Sequence, residues 1–158
     1  MIGLDQVDQE QFGEIPRPVD FISGCALLIK MPVVEQVGLL DSRFFAYYEE
    51  TEWCVRVSRA DFRILHVPRA KMWHKISPAD QAASPTVHYY MTRNRLLFLR
   101  AARASWRAWG YTLFLDYLRT LVSWSLRPRW CNMRAQRNVM LRAISDYFAG
   151  RSGRVSLE

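Results

Sequence analysis

Three carboxylates, Glu49, Glu50 and Glu52, directly follow an aromatic run of Phe44, Phe45, Tyr47 and Tyr48, and the pair Trp73-His74 lies a short way downstream. Carboxylates and imidazoles are the side chains on which proton transfer and metal binding draw, and no other stretch of the chain is as dense in them. The plainer reading is structural. Acids in a first helical turn face the positive end of the helix dipole, and a histidine beside a tryptophan is more often a satisfied, half-buried side chain than a ligand. On spacing alone that plainer reading is the stronger.

The elements that must position these residues are a loop, a helix and two short strands. Trp53, Val57 and Ala60 recur at spacings of four and three, and Glu52 precedes Arg56 by four, so residues 50–60 are expected to be helical. Residues 62–67 read as a strand ended by Pro68, and residues 70–74 as a second, short strand. The carboxylates then sit where the aromatic loop becomes a helix, with His74 on a strand that could return beside them.

At 158 residues the chain is one domain by length, half of its residues are hydrophobic, and a proper core is expected without staples. Cys25, Cys54 and Cys131 are odd in number and widely spaced, which fits neither a disulfide framework nor a zinc signature. Residues 1–18 read as an acidic surface loop, with no apolar run of signal-peptide length. Residues 19–30 are expected to form a buried strand, residues 31–38 a short helix that begins at Pro32 and stops at Gly38, and residues 39–48 the aromatic loop. In that loop the rings are either core or, at Tyr47 or Tyr48, the flank of a ligand face. Residues 76–85 are turn-rich, and residues 86–103 are helical. Arg93 and Asn94 on that helix either contact a ligand, or leave the arginine on a solvated face.

Charge divides the chain. Residues 1–90 hold 9 Lys or Arg against 12 Asp or Glu, whereas residues 91–158 hold 13 against 3. The basic part also carries Trp106, Trp109, Tyr111, Phe114, Tyr117, Leu118, Leu121, Trp124 and Trp130, and its charges interrupt every run of the roughly 20 apolar residues a spanning helix needs. It is expected either to lie in a membrane interface or on a partner as an amphipathic segment, or to cap the core with its arginines wet. Nucleic acid is disfavoured, because no RNP-like, KH-like or zinc motif accompanies the charge.

Five ordered segments carry a resemblance: residues 19–29, with Ser23-Gly24-Cys25; residues 37–45, with Asp41 to Phe45; residues 48–56, with Tyr48-Glu49-Glu50 and Glu52-Trp53; residues 67–74, ending in Trp73-His74; and residues 89–94, ending in Arg93-Asn94. Together they resemble the acceptor-side half of the inverting family 2 glycosyltransferases, in particular the bacterial rhamnosyltransferase-like branch. The resemblance is close over about residues 19–100. It implies an α/β unit, the acceptor-side half of a GT-A fold at residues 19–103, behind the acidic leader of residues 1–18 and ahead of a basic amphipathic helical tail at residues 104–158.

The resemblance also implies roles. Glu50 takes the second place of an acidic pair, usually Glu-Asp, as the general base toward an acceptor hydroxyl, with Glu49 as its rival because the second acid here is glutamate. His74 matches a histidine that helps bind the metal held by the donor diphosphate, which makes Mg²⁺ or Mn²⁺ the expected cofactor. Ser23, Gly24 and Cys25 match a segment lining the sugar site, and Tyr48, Glu52, Trp53 and Arg93 are substrate-binding candidates. The expected partners are a nucleotide-diphospho-sugar donor and a glycan or lipid-linked acceptor, at the cytoplasmic face of the plasma membrane. The donor half of the pattern, with its Asp-x-Asp-type motif, has no counterpart in these residues, so the chain is expected to be the C-terminal part of a transferase and inactive alone. The alternative is a non-enzymatic remnant that binds membrane or a partner subunit.

Overall fold

The computed structural model describes residues 13–73 and 84–156; His74 and most of the turn-rich segment 76–85 lie outside them. Within the described residues the chain is mostly helical, with one two-stranded antiparallel sheet in place of the layered α/β unit expected. Strand β1 (Arg17–Pro18) pairs with β2 (Leu65–His66), Arg17 opposite His66 and Pro18 opposite Leu65. The strand expected over residues 62–67 is therefore reduced to two residues, and residues 70–73 form none.

The larger correction concerns residues 19–30. They run mostly extended but form no strand, and a short 3₁₀ turn, Gly24–Ala26, interrupts them. An isolated extended segment leaves every second backbone group unmet unless a neighbouring strand supplies partners. Here the Val19 amide reaches the Ile64 carbonyl at 3.0 Å, and the sheet extends no further along the segment.

Helix α1 (Met31–Val37) starts with Pro32 in its first turn and ends at Gly38, whose φ of 83° favours a residue without Cβ. Helix α2 (Glu49–Arg59) packs on it, and two side chains of α2 finish its C-terminus. The Trp53 indole N–H donates to the Gly38 carbonyl at 2.8 Å, and Arg56 donates to the Val37 and Leu39 carbonyls at 2.6 and 2.8 Å. Arg56 is itself held by Glu52, Nε to Oε1, at 2.9 Å, the i,i+4 pair that the spacing predicts. Trp53, Cys54 and Val57 form the first core with Ile64, and Val19, Phe21, Ile22 and Ile29 lean against it.

Helix α3 (Pro85–Ala101) opens on Ser84-Pro85 and carries the second core. A continuous helical run follows: α4 (Trp106–Gly110), a π-helical segment (Tyr111–Leu118) and α5 (Arg119–Leu126). A 3₁₀ segment, Pro128–Met133, then leads into α6 (Arg134–Phe148), which packs along α3. Leu96, Leu99, Tyr117 and Met140 meet at the centre, surrounded by Trp109, Leu113, Trp124 and Ile144. The basic tail thus packs on α3.

Candidate active site

Residues 43–48 present the carboxylates, and their backbone is unusual. Phe45, Tyr47 and Tyr48 hold φ of 64°, 65° and 72°, in the left-handed region that disfavours residues with a Cβ by about 1–2 kcal/mol each. Tyr48 is the residue before α2, and its carbonyl accepts the Glu52 amide at 2.8 Å. No side chain caps this helix, so the loop conformation alone sets its entry angle.

What holds the strained loop is the pair Arg93-Asn94, both fully buried on α3. The Asn94 side-chain nitrogen donates toward the Phe44, Ala46 and Tyr47 carbonyls at 2.8, 2.6 and 2.8 Å. Arg93 donates to the Arg43 and Phe44 carbonyls at 3.2 and 3.1 Å and to the Gly153 carbonyl at 2.8 Å, and its guanidinium lies over the Tyr89 and Tyr90 rings. Gly153 in turn donates its amide to the Arg43 carbonyl at 2.7 Å. The solvated-face reading of Arg93 is overturned: its guanidinium is buried and bound to backbone carbonyls and tyrosine rings of the scaffold. Glu52 and Trp53 are likewise buried and engaged with Arg56 and Gly38.

Glu49 and Glu50 differ from these. Each keeps its Oε2 buried with no hydrogen-bond partner, a costly condition for a carboxylate oxygen. Burial is the main force pushing the Glu49 carboxyl above its ordinary range; its own backbone amide opposes the shift and the neighbouring Glu50 charge adds to it. The turn at Ser23-Gly24-Cys25 lies against Glu50. A Cβ on Gly24 would stand 3.9 Å from both Cβ and Cγ of Glu50, so a small residue keeps that approach open. The Ser23 hydroxyl donates to Cys25 Sγ at 3.2 Å, and Cys25 is exposed. Cys54, one turn further along α2, is buried, and burial pushes its thiol pKa up.

Tyr48 stacks at a tilt on Phe98, with ring centroids 5.6 Å apart, and burial raises its hydroxyl pKa. It also lines a small pocket of about 170 Å³ together with His88, Arg95, Asp116, Tyr117 and Trp124, in which Arg95 and Asp116 form an ion pair. Sequence spacing could not have found this pocket, because Tyr48, Arg95 and Asp116 come from separate elements. Asn94 was visible only as half of an Arg-Asn motif. Among the described residues no three His, Cys, Asp or Glu side chains come together as a metal site. The His74 expectation lies outside those residues.

Comparison with known proteins supports a glycosyltransferase family for this chain. Over 83 residues, 51% of this chain and 27% of the relative, it is 36% identical to the low-salt glycan biosynthesis hexosyltransferase Agl10 of Haloferax volcanii. Over 101 residues, 62% of this chain and 32% of the relative, it is 30% identical to the N-acetylglucosaminyl-diphospho-decaprenol L-rhamnosyltransferase of Mycobacterium tuberculosis. A dTDP-rhamnosyl transferase of Shigella flexneri, RfbF, is 29% identical over 96 residues, 56% of this chain and 32% of that protein. The aligned residues thus span between 27% and 32% of the length of these relatives. No family model matches the chain, and no solved structure matches it significantly.

Proposed function

We propose that this chain carries the acceptor-side part of an inverting glycosyltransferase of GT-A fold, and that Glu50 is its general base. The observation that carries the reading is the pair of buried, unpartnered carboxylate oxygens at the start of α2. An acceptor hydroxyl donating to such an oxygen would relieve its unmet hydrogen bond and place the proton for removal. The oxygen of that hydroxyl attacks the anomeric carbon as its proton passes to the carboxylate, and the bond from the sugar to the nucleoside diphosphate breaks with the electron pair leaving on phosphate. Inversion requires the base on the face of the sugar opposite that leaving group.

Glu50 is preferred over Glu49 because the Gly24 turn, the sugar-lining candidate by resemblance, lies against it. The donor class is a nucleotide-diphospho-sugar, with a deoxyhexose such as rhamnose suggested by the names of two relatives, and the acceptor is a glycan or lipid-linked glycan. The leaving diphosphate needs a divalent cation or basic residues to neutralise it. Among the described residues no three His, Cys, Asp or Glu side chains come together for such a cation, and His74, the metal ligand by resemblance, lies outside them.

The test is sugar transfer measured on the intact gene product. Glu50→Gln, nearly isosteric, is expected to lower turnover by about 100- to 10,000-fold with folding intact, and Glu49→Gln by far less. Near-normal turnover in Glu50→Gln would sink the assignment of the base. A calorimetric titration with nucleotide-diphospho-sugars and Mn²⁺ separately asks whether the 158-residue chain binds donor unaided.

A further inference from the structure

The helical run from α4 through the π-helical segment to α5 buries one side and leaves the other uncovered. Thr112, Tyr117 and the half-buried Trp109, Leu113, Leu121 and Trp124 face α3 and α6, whereas Tyr111, Phe114, Leu115, Leu118, Val122 and Leu126 face outward. Phe114, Leu115 and Leu126 are 65%, 60% and 75% exposed, and Trp106, at the head of the run, is 78% exposed. The outward residues recur at spacings of three and four, so they form one stripe along a rod of about 30 Å. Exposed arginines border it: Arg107 and Arg119 within the run, Arg103 before it, and Arg127 and Arg129 after it. Between residues 102 and 145 Asp116 is the single acid in the sequence, and it is paired with Arg95.

We propose that this stripe is a membrane-docking face, which lies in the headgroup region of an anionic lipid bilayer. The charge pattern selects the occupant. A second copy laid on the same face would bring like-charged arginine borders together. Nucleic acid would satisfy the arginines and leave Leu115, Leu118, Val122 and Leu126 without an apolar counterpart. An anionic bilayer meets both parts at once, acyl chains under the stripe and phosphates beside the arginines. Trp106 is exposed at the head of the run with Arg107 5.5 Å from its ring, a pairing of aromatic ring and cation that suits a membrane interface. The mode is interfacial, since none of the helices among the described residues is long and apolar enough to cross a membrane.

The experiment is flotation of the 158-residue chain with vesicles of phosphatidylcholine mixed with phosphatidylglycerol, and with vesicles of phosphatidylcholine alone. The chain is expected to float with the mixed vesicles, less so as salt rises, and its tryptophan fluorescence to be quenched by brominated acyl chains. Leu115→Ser with Leu118→Ser, both on the exposed face, should weaken partition by about tenfold or more with the helical circular dichroism unchanged. Arg107→Gln and Arg119→Gln should each cost about fivefold on anionic vesicles only. The proposal is overturned if the chain stays unbound with anionic vesicles, or if the leucine variant binds as well as the parent. It is overturned equally if light scattering shows a dimer that the leucine variant dissolves while vesicle uptake is absent. Sugar transfer does not enter these readouts, so failure here leaves the glycosyltransferase reading standing, and the converse also holds.

Discussion

Residues 13–73 and residues 84–156 contain similar shares of apolar side chains and use them differently. In the second region Leu96, Tyr89 and Ala143 are fully buried where α3 and α6 face each other. In the first, burial centres on one face of α2, while Ile15, Leu28, Leu39 and Trp73 are 78%, 97%, 76% and 85% exposed. The cause is the backbone. A helix satisfies its own amides and needs a neighbour only for its apolar stripe, whereas an extended segment needs neighbours for its backbone as well. Residues 19–30 have the composition of a buried strand and no sheet around them, so their apolar side chains reach α2 on one side and solvent on the other.

The two regions meet through the Arg93-Asn94 clamp, and removing it is the most severe way to break the contrast. Asn94→Ala would strand the Ala46 and Tyr47 carbonyls, leave the Phe44 carbonyl to Arg93 and the Ala46 amide, and loosen three left-handed residues. A loss of about 3 kcal/mol or more is expected in chemical denaturation, together with loss of any activity that depends on Glu50. Leu96→Ala, at the centre of the helical region, should cost about 2–4 kcal/mol through the cavity it leaves.

Glu49 offers a gentler probe with a definite sign. Its folded pKa is raised above the ordinary 4.5, so the folded chain holds that proton more tightly than the unfolded one. The stabilising contribution is complete below about 4.5 and fades as pH rises through the folded value. Glu49→Gln should therefore show a higher urea midpoint than the parent at neutral pH and no advantage at pH below the unfolded value, a small difference because solvent screens the partly buried group. Leu28→Ser should change stability by less than about 0.5 kcal/mol. A large loss at Leu28 would mean that the segment is covered after all, and the contrast between the regions would collapse.

The helices were legible in the sequence because their signals are local. Pro32 and Gly38 bracket α1, Glu52 and Arg56 pair along α2, and the helix expected over residues 86–103 is found as α3. The strand signal at residues 19–30 failed for the complementary reason, since β-like composition reports a side-chain environment that only partner strands can create. The carboxylate pair could be singled out by composition and by resemblance. The left-handed backbone at Phe45, Tyr47 and Tyr48 could not, because none is a glycine or asparagine and the conformation is imposed by Asn94 and Arg93 from nearly fifty residues away. Arg93 itself was misjudged as a solvent-facing default, since a buried guanidinium that binds only carbonyls and rings leaves no acid in the sequence to mark it.

The hydrogen bonds of Gly153 to Arg43 and Arg93, with the Val155 amide donating to the Tyr90 hydroxyl at 3.0 Å, also set an order in time. During synthesis at about 5–20 residues per second, Glu49 and Glu50 leave the ribosome several seconds before the strap that completes the clamp behind them. Until Gly153 arrives, Arg93 lacks one of its carbonyl partners and Arg43 lacks the amide that fixes its own. A nascent chain therefore carries the carboxylates of Glu49 and Glu50 before it carries Gly153, whose hydrogen bonds to Arg43 and Arg93 complete the support of the loop ahead of them.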